Sequence, residues 1–202
     1  IVEGTLDVQG TSAEPVAFTS LADDEHGGDT NDDGASSGAA GDWYGLVFQE
    51  GSVGRLEHVF VGYAGSGVFN GTLGYGRAQI DVEEADLELR NGTVVSGTMK
   101  GIYLEGEGIT PVIQSVHVSE NVASDGGGSA IYQSSINMQP SYADLTFSGN
   151  DYNEVTIERP SQPMTQDVIL GGANYGFYSG HILTVSAGRT LTVAPGTLLD
   201  FS

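Results

Sequence analysis

Short apolar runs separated by Gly, Asn, Asp and Ser recur along this chain, and two classes of them keep a regular interval. One class begins at Leu46, Ile80, Ile102 and Ile131, with spacings of 34, 22 and 29 residues. The other is centred near Val59, Leu87, Val116 and Leu145, with spacings of 28, 29 and 29. A period of about 20–50 residues belongs to stacked supersecondary units, each too small to bury its apolar face alone. No window carries apolar residues at i, i+3, i+4 and i+7 over successive helical turns. The runs at 16–19, 45–48, 56–61, 79–82, 85–89, 101–104, 113–118, 130–132, 143–147, 155–157 and 182–201 read as strands. Several alternate, with Leu87 and Leu89 on one side and Asp86 and Glu88 on the other. Two or three strands per repeat without helices predict an all-β chain, a parallel β-helix of about six or seven coils. At ~4.8 Å per coil that is a rod of about 30 Å. An up-and-down β-sandwich competes, but Asn-Gly hairpin signals occur only at Asn70-Gly71 and Asn91-Gly92. The whole chain, 1–202, reads as one domain with a polar insertion at 21–42.

Charge narrows the partners. Lys and Arg total 6 against 27 Asp and Glu, a formal net charge of −21. Phosphate neutralisation needs basic clusters, so nucleic acid and anionic membrane surfaces are excluded as partners. No apolar run is long enough to insert in a bilayer. Cysteine is absent, which removes disulfides and thiolate chemistry. Acidity with a single lysine suits an extracellular or cell-surface location, and also adaptation to high salt.

The segment Gly41-Asp42-Trp43-Tyr44-Gly45-Leu46-Val47-Phe48, followed by 56–61 and Gly62-Tyr63-Ala64-Gly65, resembles repeats of right-handed parallel β-helix proteins. So does Leu191-Thr192-Val193-Ala194-Pro195-Gly196-Thr197-Leu198-Leu199-Asp200-Phe201. Such repeats are common in large secreted or cell-surface proteins of bacteria and archaea. The resemblance implies a right-handed solenoid. It transfers no single function, because adhesins, stalks and polysaccharide-cleaving enzymes share the pattern. In such proteins a block like 191–201 runs into one like 4–11 and then 15–20, so the last block of this chain reads as the predecessor of its first. The strands that would meet carry Val2, Leu6 and Val8 at one end and Leu191, Val193, Leu199 and Phe201 at the other. Their expected partners are flanking β-helix coils of a longer chain, or copies of the chain joined end to end.

The sharpest chemical signal is the insertion. Six carboxylates fall in the eleven residues from Asp23 to Asp33, with no Lys or Arg among them. Within it, Asp29-x-Asn31-x-Asp33-Gly34 matches the first half of a calcium loop. Oxygen ligands at positions 1, 3 and 5, then Gly at 6, wrap a hard cation. The pattern resembles the half-loops of dockerins and thrombospondin-type repeats, which implies Ca2+ as cofactor. Position 12 is Ala40, where an EF-hand carries Glu. Asp23, Asp24 or Asp42 would supply the missing carboxylate, with the Ala35 backbone carbonyl at position 7.

Other features carry less. Calcium-dependent polysaccharide lyases use a Lys or Arg base. This chain has one lysine, Lys100, and scattered arginines, while −21 repels a polyanion. Hydrolase-type carboxylate pairs, such as Glu84 and Asp86, are not singled out. A non-catalytic rod is therefore expected, with polysaccharide binding or cleavage as the alternative. His58 and His117 occupy equivalent places in successive runs, with Glu88 between. Asn70 and Asn91 head N-glycosylation sequons. Tyr44, Tyr63, Tyr75, Tyr103, Tyr132, Tyr175 and Tyr178 are candidate sugar platforms.

Overall fold

The computed structural model describes residues 1–66, 77–177 and 181–201. Among them the chain forms nineteen strands and no helix. In chain order these begin with β1 (Thr5–Gln9), β2 (Val16–Phe18), β3 (Leu46–Phe48), β4 (Val53–Glu57), β5 (Val59–Gly62) and β6 (Ala78–Glu83). They continue with β7 (Asp86–Arg90), β8 (Thr93–Val95), β9 (Lys100–Glu105), β10 (Val112–Gln114), β11 (His117–Ser119) and β12 (Ser129–Gln133). The last are β13 (Ser141–Ala143), β14 (Thr146–Ser148), β15 (Tyr152–Ile157), β16 (Val168–Leu170), β17 (Tyr175–Phe177), β18 (Leu191–Val193) and β19 (Leu199–Phe201).

Every strand pairing among the described residues is parallel. β1, β4, β7, β10 and β13 form the first sheet, and β2, β5, β8, β11 and β14 the second. β3, β6, β9, β12, β15, β17 and β19 form the third, while β16 and β18 pair separately. The fold is thus all-β with parallel sheets, consistent with a solenoid and incompatible with an up-and-down sandwich. Up to β15 the chain visits first, second and third sheet in turn. Beyond it, β16 leads directly to β17, and β18 to β19, so the second sheet ends at β14.

The first class of apolar runs proves to be one column of the third sheet. Leu46, Ile80, Ile102 and Ile131 pair in register, and Val155 and Tyr175 continue the column. All six belong to the single main core. Burying a Leu- or Ile-sized side chain is worth about 1.5–3 kcal/mol, so such columns dominate stability. Where two strands crowd a large ring, the position is Gly: a Cβ on Gly54 would lie 2.7 Å from Phe48 Cε1.

The second class needs correction. The runs 56–61, 113–118 and 143–147 are not continuous strands but pairs of strands joined by a bend of one or two residues, the first of which has a positive φ. His58, Asn91, Ser115 and Asp144 occupy that first place, with φ of 47°, 51°, 54° and 51°. Their amides keep the ladder intact: His58 N–H donates to the Arg90 carbonyl, Asn91 to Gln114 and Ser115 to Ala143. Val59, Gly92, Val116 and Leu145 each precede one member of the aligned set Phe60, Thr93, His117 and Thr146. Gly92 is therefore the equivalent residue, and Leu87 faces Gly54 in the first sheet. The same register separates the histidines. His58 lies on the bend, His117 aligns with Phe60, and Glu88 belongs to another sheet.

Val2 bridges to Phe48 and exchanges backbone hydrogen bonds with Val47 and Gln49, so it adds a rung to the third sheet. Val8 is buried and Leu6 half-buried. At the other end Leu191 and Leu199 are half-buried, while Val193 and Phe201 are exposed, with Phe201 stacked on Phe177 at 4.8 Å.

Candidate metal centre

The acidic insertion leaves β2 and rejoins at β3, with no strand between them. It lies against the outer side of the second sheet. His26 stacks on Phe60 with ring centroids 4.0 Å apart, and a Cβ on Gly38 would fall 2.3 Å from the Tyr63 ring. Gly41 and Asp42 N–H both donate to the Tyr63 carbonyl, and Trp43 Nε1 donates to the Gly62 carbonyl at 2.8 Å. Both roots of the loop are thus tied to one corner.

Two of the candidate carboxylates build these roots. Asp42 Oδ2 accepts from Ser20 Oγ and from Ala39 N–H. Asp23, buried, accepts from Thr19 Oγ1, Glu25 N–H and His26 Nδ1. Burial alone would raise the Asp23 carboxyl, but the Thr19 and His26 hydrogen bonds outweigh it and hold it below its ordinary value.

Asp24, Asp29 and Asp33 come together instead, each offering an oxygen within 4.8 Å of the others. Asp29 shapes the turn: its Oδ1 accepts from Asp33 N–H at 3.2 Å and its Oδ2 from Gly34 N–H at 3.1 Å. Gly34 has φ of 84°, the left-handed conformation that the sixth loop position requires. Asn31 Oδ1 also receives Asp33 N–H, and its Nδ2 donates to Asp33 Oδ2 at 2.8 Å. Ser36 ties the limbs of the loop, donating from N–H to Asp24 Oδ2, while its single hydroxyl proton is shared between the Ala22 carbonyl and Asp33 Oδ1. Asp24 Oδ1 is buried and has no hydrogen-bond partner among the described residues. An orphan carboxylate oxygen beside two more carboxylates is a donor set for a hard cation. Ala35 offers only its backbone carbonyl.

The remaining candidates scatter. Asn91 is exposed on its bend with Nδ2 donating to Glu57 Oε1, while Asn70, Tyr75 and Tyr178 lie outside the described residues. Tyr103, Tyr132 and Tyr175 are 8%, 8% and 2% exposed, so they offer no open sugar platform.

A second charged cluster had little signal in the sequence. Asp81 interrupts the buried strand β6 and points out of the core, yet is itself 0% exposed. Arg77 Nε and Nη2 each donate to it at 3.1 Å, and the same guanidinium meets Glu83 and Glu105. It also lies 4.1 Å above the Tyr103 ring, which stacks on Tyr132, which in turn carries Lys100 Nζ at 4.7 Å. Burial pushes the Tyr103 hydroxyl up to about 12 and lowers the Lys100 ammonium. Lys100 is therefore no isolated surface lysine. The spacing of Arg77 and Asp81, with an acid inside an apolar run, was the only available clue.

No family model, curated protein or solved structure matches the chain, so both clusters have to be read from their own geometry.

Proposed function

We propose that the chain is a calcium-stabilised, right-handed parallel β-helix of six to seven coils that serves as a non-catalytic rod of an extracellular or cell-surface protein. The observation that carries this reading is the set of parallel ladders running in register over one core, from β1 to β19. Seven successive passages account for the strands, the last two lacking the second-sheet strand. The third sheet supports stacking: it runs from the Val2 bridge to β19, which among the described residues pairs on one side only and carries the exposed Phe201. Flanking coils, or a second copy joined end to end, would continue that sheet by strand addition. Adhesion is the companion role, with glycans as the partner class.

Calcium would sit on Asp24, Asp29 and Asp33, with the Asn31 side chain and the Ala35 carbonyl completing the shell, while Asp23 and Asp42 hold the loop's roots. Calorimetric titration of Ca2+ into wild type and Asp29→Asn tests the site. Millimolar or tighter binding that is lost in the variant is expected, and equal heats overturn it. Negative-stain electron microscopy with calcium and then chelator tests the rod. Filaments with the axial repeat of one rod support end-to-end joining. Single short particles in both conditions overturn it and leave flanking coils as the continuation.

Polysaccharide cleavage is the second reading, favoured only by the lowered, half-buried Lys100 beside Arg77. Depolymerising activity abolished by Lys100→Ala would support it, and inertness toward a polysaccharide panel would dismiss it.

A further inference from the structure

The second sheet stops two passages before the third, and the gap it leaves is a built notch. Between β16 and β17, and again between β18 and β19, the chain turns in four or five residues where earlier passages insert a strand. These turns stand beside the free edge of β14 and enclose an open cavity of about 380 Å³. Its floor is Leu145 and Phe147, both half-buried, and its walls carry Asn153, Asn174, Pro195 and Thr197.

Three properties define what fits. First, no ionisable residue among the described residues lines the cavity, on a chain whose net charge is −21. An anion finds no cationic partner there and is repelled by the whole molecule, while a cation finds no carboxylate in the lining, so the ligand is neutral. Second, both asparagines are oriented by backbone amides. Asn174 Oδ1 accepts Leu198 N–H at 3.1 Å, and Asn153 Oδ1 accepts Asn150 N–H at 3.2 Å and Asn150 Nδ2 at 2.9 Å. A backbone N–H bonds only to the amide oxygen, so the carboxamide orientation is fixed. Each Nδ2 then remains a preset donor with no partner among the described residues. Third, the Phe147 ring and Leu145 give an apolar floor beside these donors, the pairing that takes the C–H face and hydroxyls of a pyranose. The opening suits one residue of a longer glycan rather than an enclosed small molecule.

We propose that this notch is a binding subsite for a neutral pyranose unit of a glycan, with Asn153 and Asn174 as hydroxyl-reading donors and Phe147 as the stacking surface. It deepens the adhesive part of the rod reading and is independent of the calcium loop.

The test is NMR titration of the 15N-labelled chain with methyl β-D-glucoside, methyl β-D-galactoside and methyl α-D-mannoside, with D-glucuronate as the charged control. The expected result is saturable shifts of the Asn153 and Asn174 side-chain amides with at least one neutral glycoside and none with glucuronate. Asn174→Asp keeps the oxygen that accepts Leu198 N–H but removes the donor, so binding should weaken about tenfold while circular dichroism is unchanged. Asn153→Asp is the second variant, with the same expectation. Absence of saturable shifts, equal binding of glucuronate, or unchanged affinity in both variants overturns the subsite. A Val-Ala-Phe peptide that shifts the β14 amides where sugars do not would overturn it in favour of strand addition. A chain that stacks into rods yet binds no sugar dismisses the notch alone.

Discussion

A left-handed residue in each bend is what lets a parallel strand turn without losing its neighbour. His58, Asn91, Ser115 and Asp144 take φ near 50° one above another, and a side chain in that region costs about 1 kcal/mol or more unless it is Gly or Asn. The ladder hydrogen bonds on either side hold the conformation in place, so strain and pairing are balanced at a single position. Ser115 is half-buried and its N–H is bonded to Ala143. Ser115→Gly should therefore leave stability unchanged or raise it by a few tenths of a kcal/mol, since relief of strain is offset by chain entropy. Ser115→Val, β-branched in the same conformation, should lower it by about 1–3 kcal/mol. Urea midpoints of the two variants check the pair. Equal loss in both would mean that the hydroxyl rather than the backbone matters.

Outward rows of the third sheet carry charge that the sequence only half discloses. Arg77 and Asp81 form the clearest case, because Asp81 has no exposure and its guanidinium partner is shared with Glu83 and Glu105. Arg77→Met should destabilise by about 3–5 kcal/mol by stranding a buried carboxylate, whereas Arg77→Met with Asp81→Val should recover most of that loss. A double-mutant cycle read by urea unfolding decides it. Across β15, β17 and β19 the Glu154 carboxylate lies over Gly176, where a Cβ would meet its Oε1 at 1.6 Å. Burial, and then Asp200, push Glu154 above its ordinary value. A raised carboxyl favours the protonated folded form. Its contribution is intact at low pH and is lost as pH rises from about 4.3 toward the folded value. Glu154→Gln should match wild type below about pH 4 and be the more stable above it. Of such elements the apolar columns were legible, because Leu46, Ile80, Ile102 and Ile131 repeat at intervals that only stacking explains. The bends were less plain: Ile113-Gln114-Ser115-Val116-His117-Val118 has the length and composition of one strand, and only the slip of its apolar alternation at Ser115 marks the φ that splits it. The tight turn from Asp29 to Gly34 was legible, with Gly34 in the left-handed conformation and Asp29 receiving the Asp33 and Gly34 amides. Which further carboxylate joins it was not, since Ser20, Thr19 and Ser36 decide where Asp42, Asp23 and Asp24 point.

At the scale of the whole molecule, 27 acids against 6 bases make self-repulsion a term spread over every passage of the chain, while the loop concentrates it at one place. The two respond differently to ions. Diffuse repulsion is relieved by any salt as the Debye length falls from about 30 Å at 0.01 M to ~3 Å at 1 M. A three-carboxylate site is relieved by the ion that fits it, adding RT ln(1 + [L]/Kd), about 1.4 kcal/mol at roughly ten times Kd. Thermal unfolding should thus rise smoothly with NaCl, and Ca2+ at a few millimolar should add a further increment that NaCl of equal ionic strength does not reproduce. Asp29→Asn or Asp33→Asn should erase the calcium increment and leave the NaCl response. Trp43, the one tryptophan, is bonded to Gly62 at the loop's root and reports the same event locally by fluorescence. If calcium acts no differently from NaCl at matched ionic strength, the acidic loop is a solvated surface and the fold owes its stability to its columns alone. If the increment survives in wild type and vanishes in the variants, the loop is a clamp. It then holds the insertion against Phe60 and Tyr63 on the second sheet, so that ion binding and the packing of that face become one equilibrium.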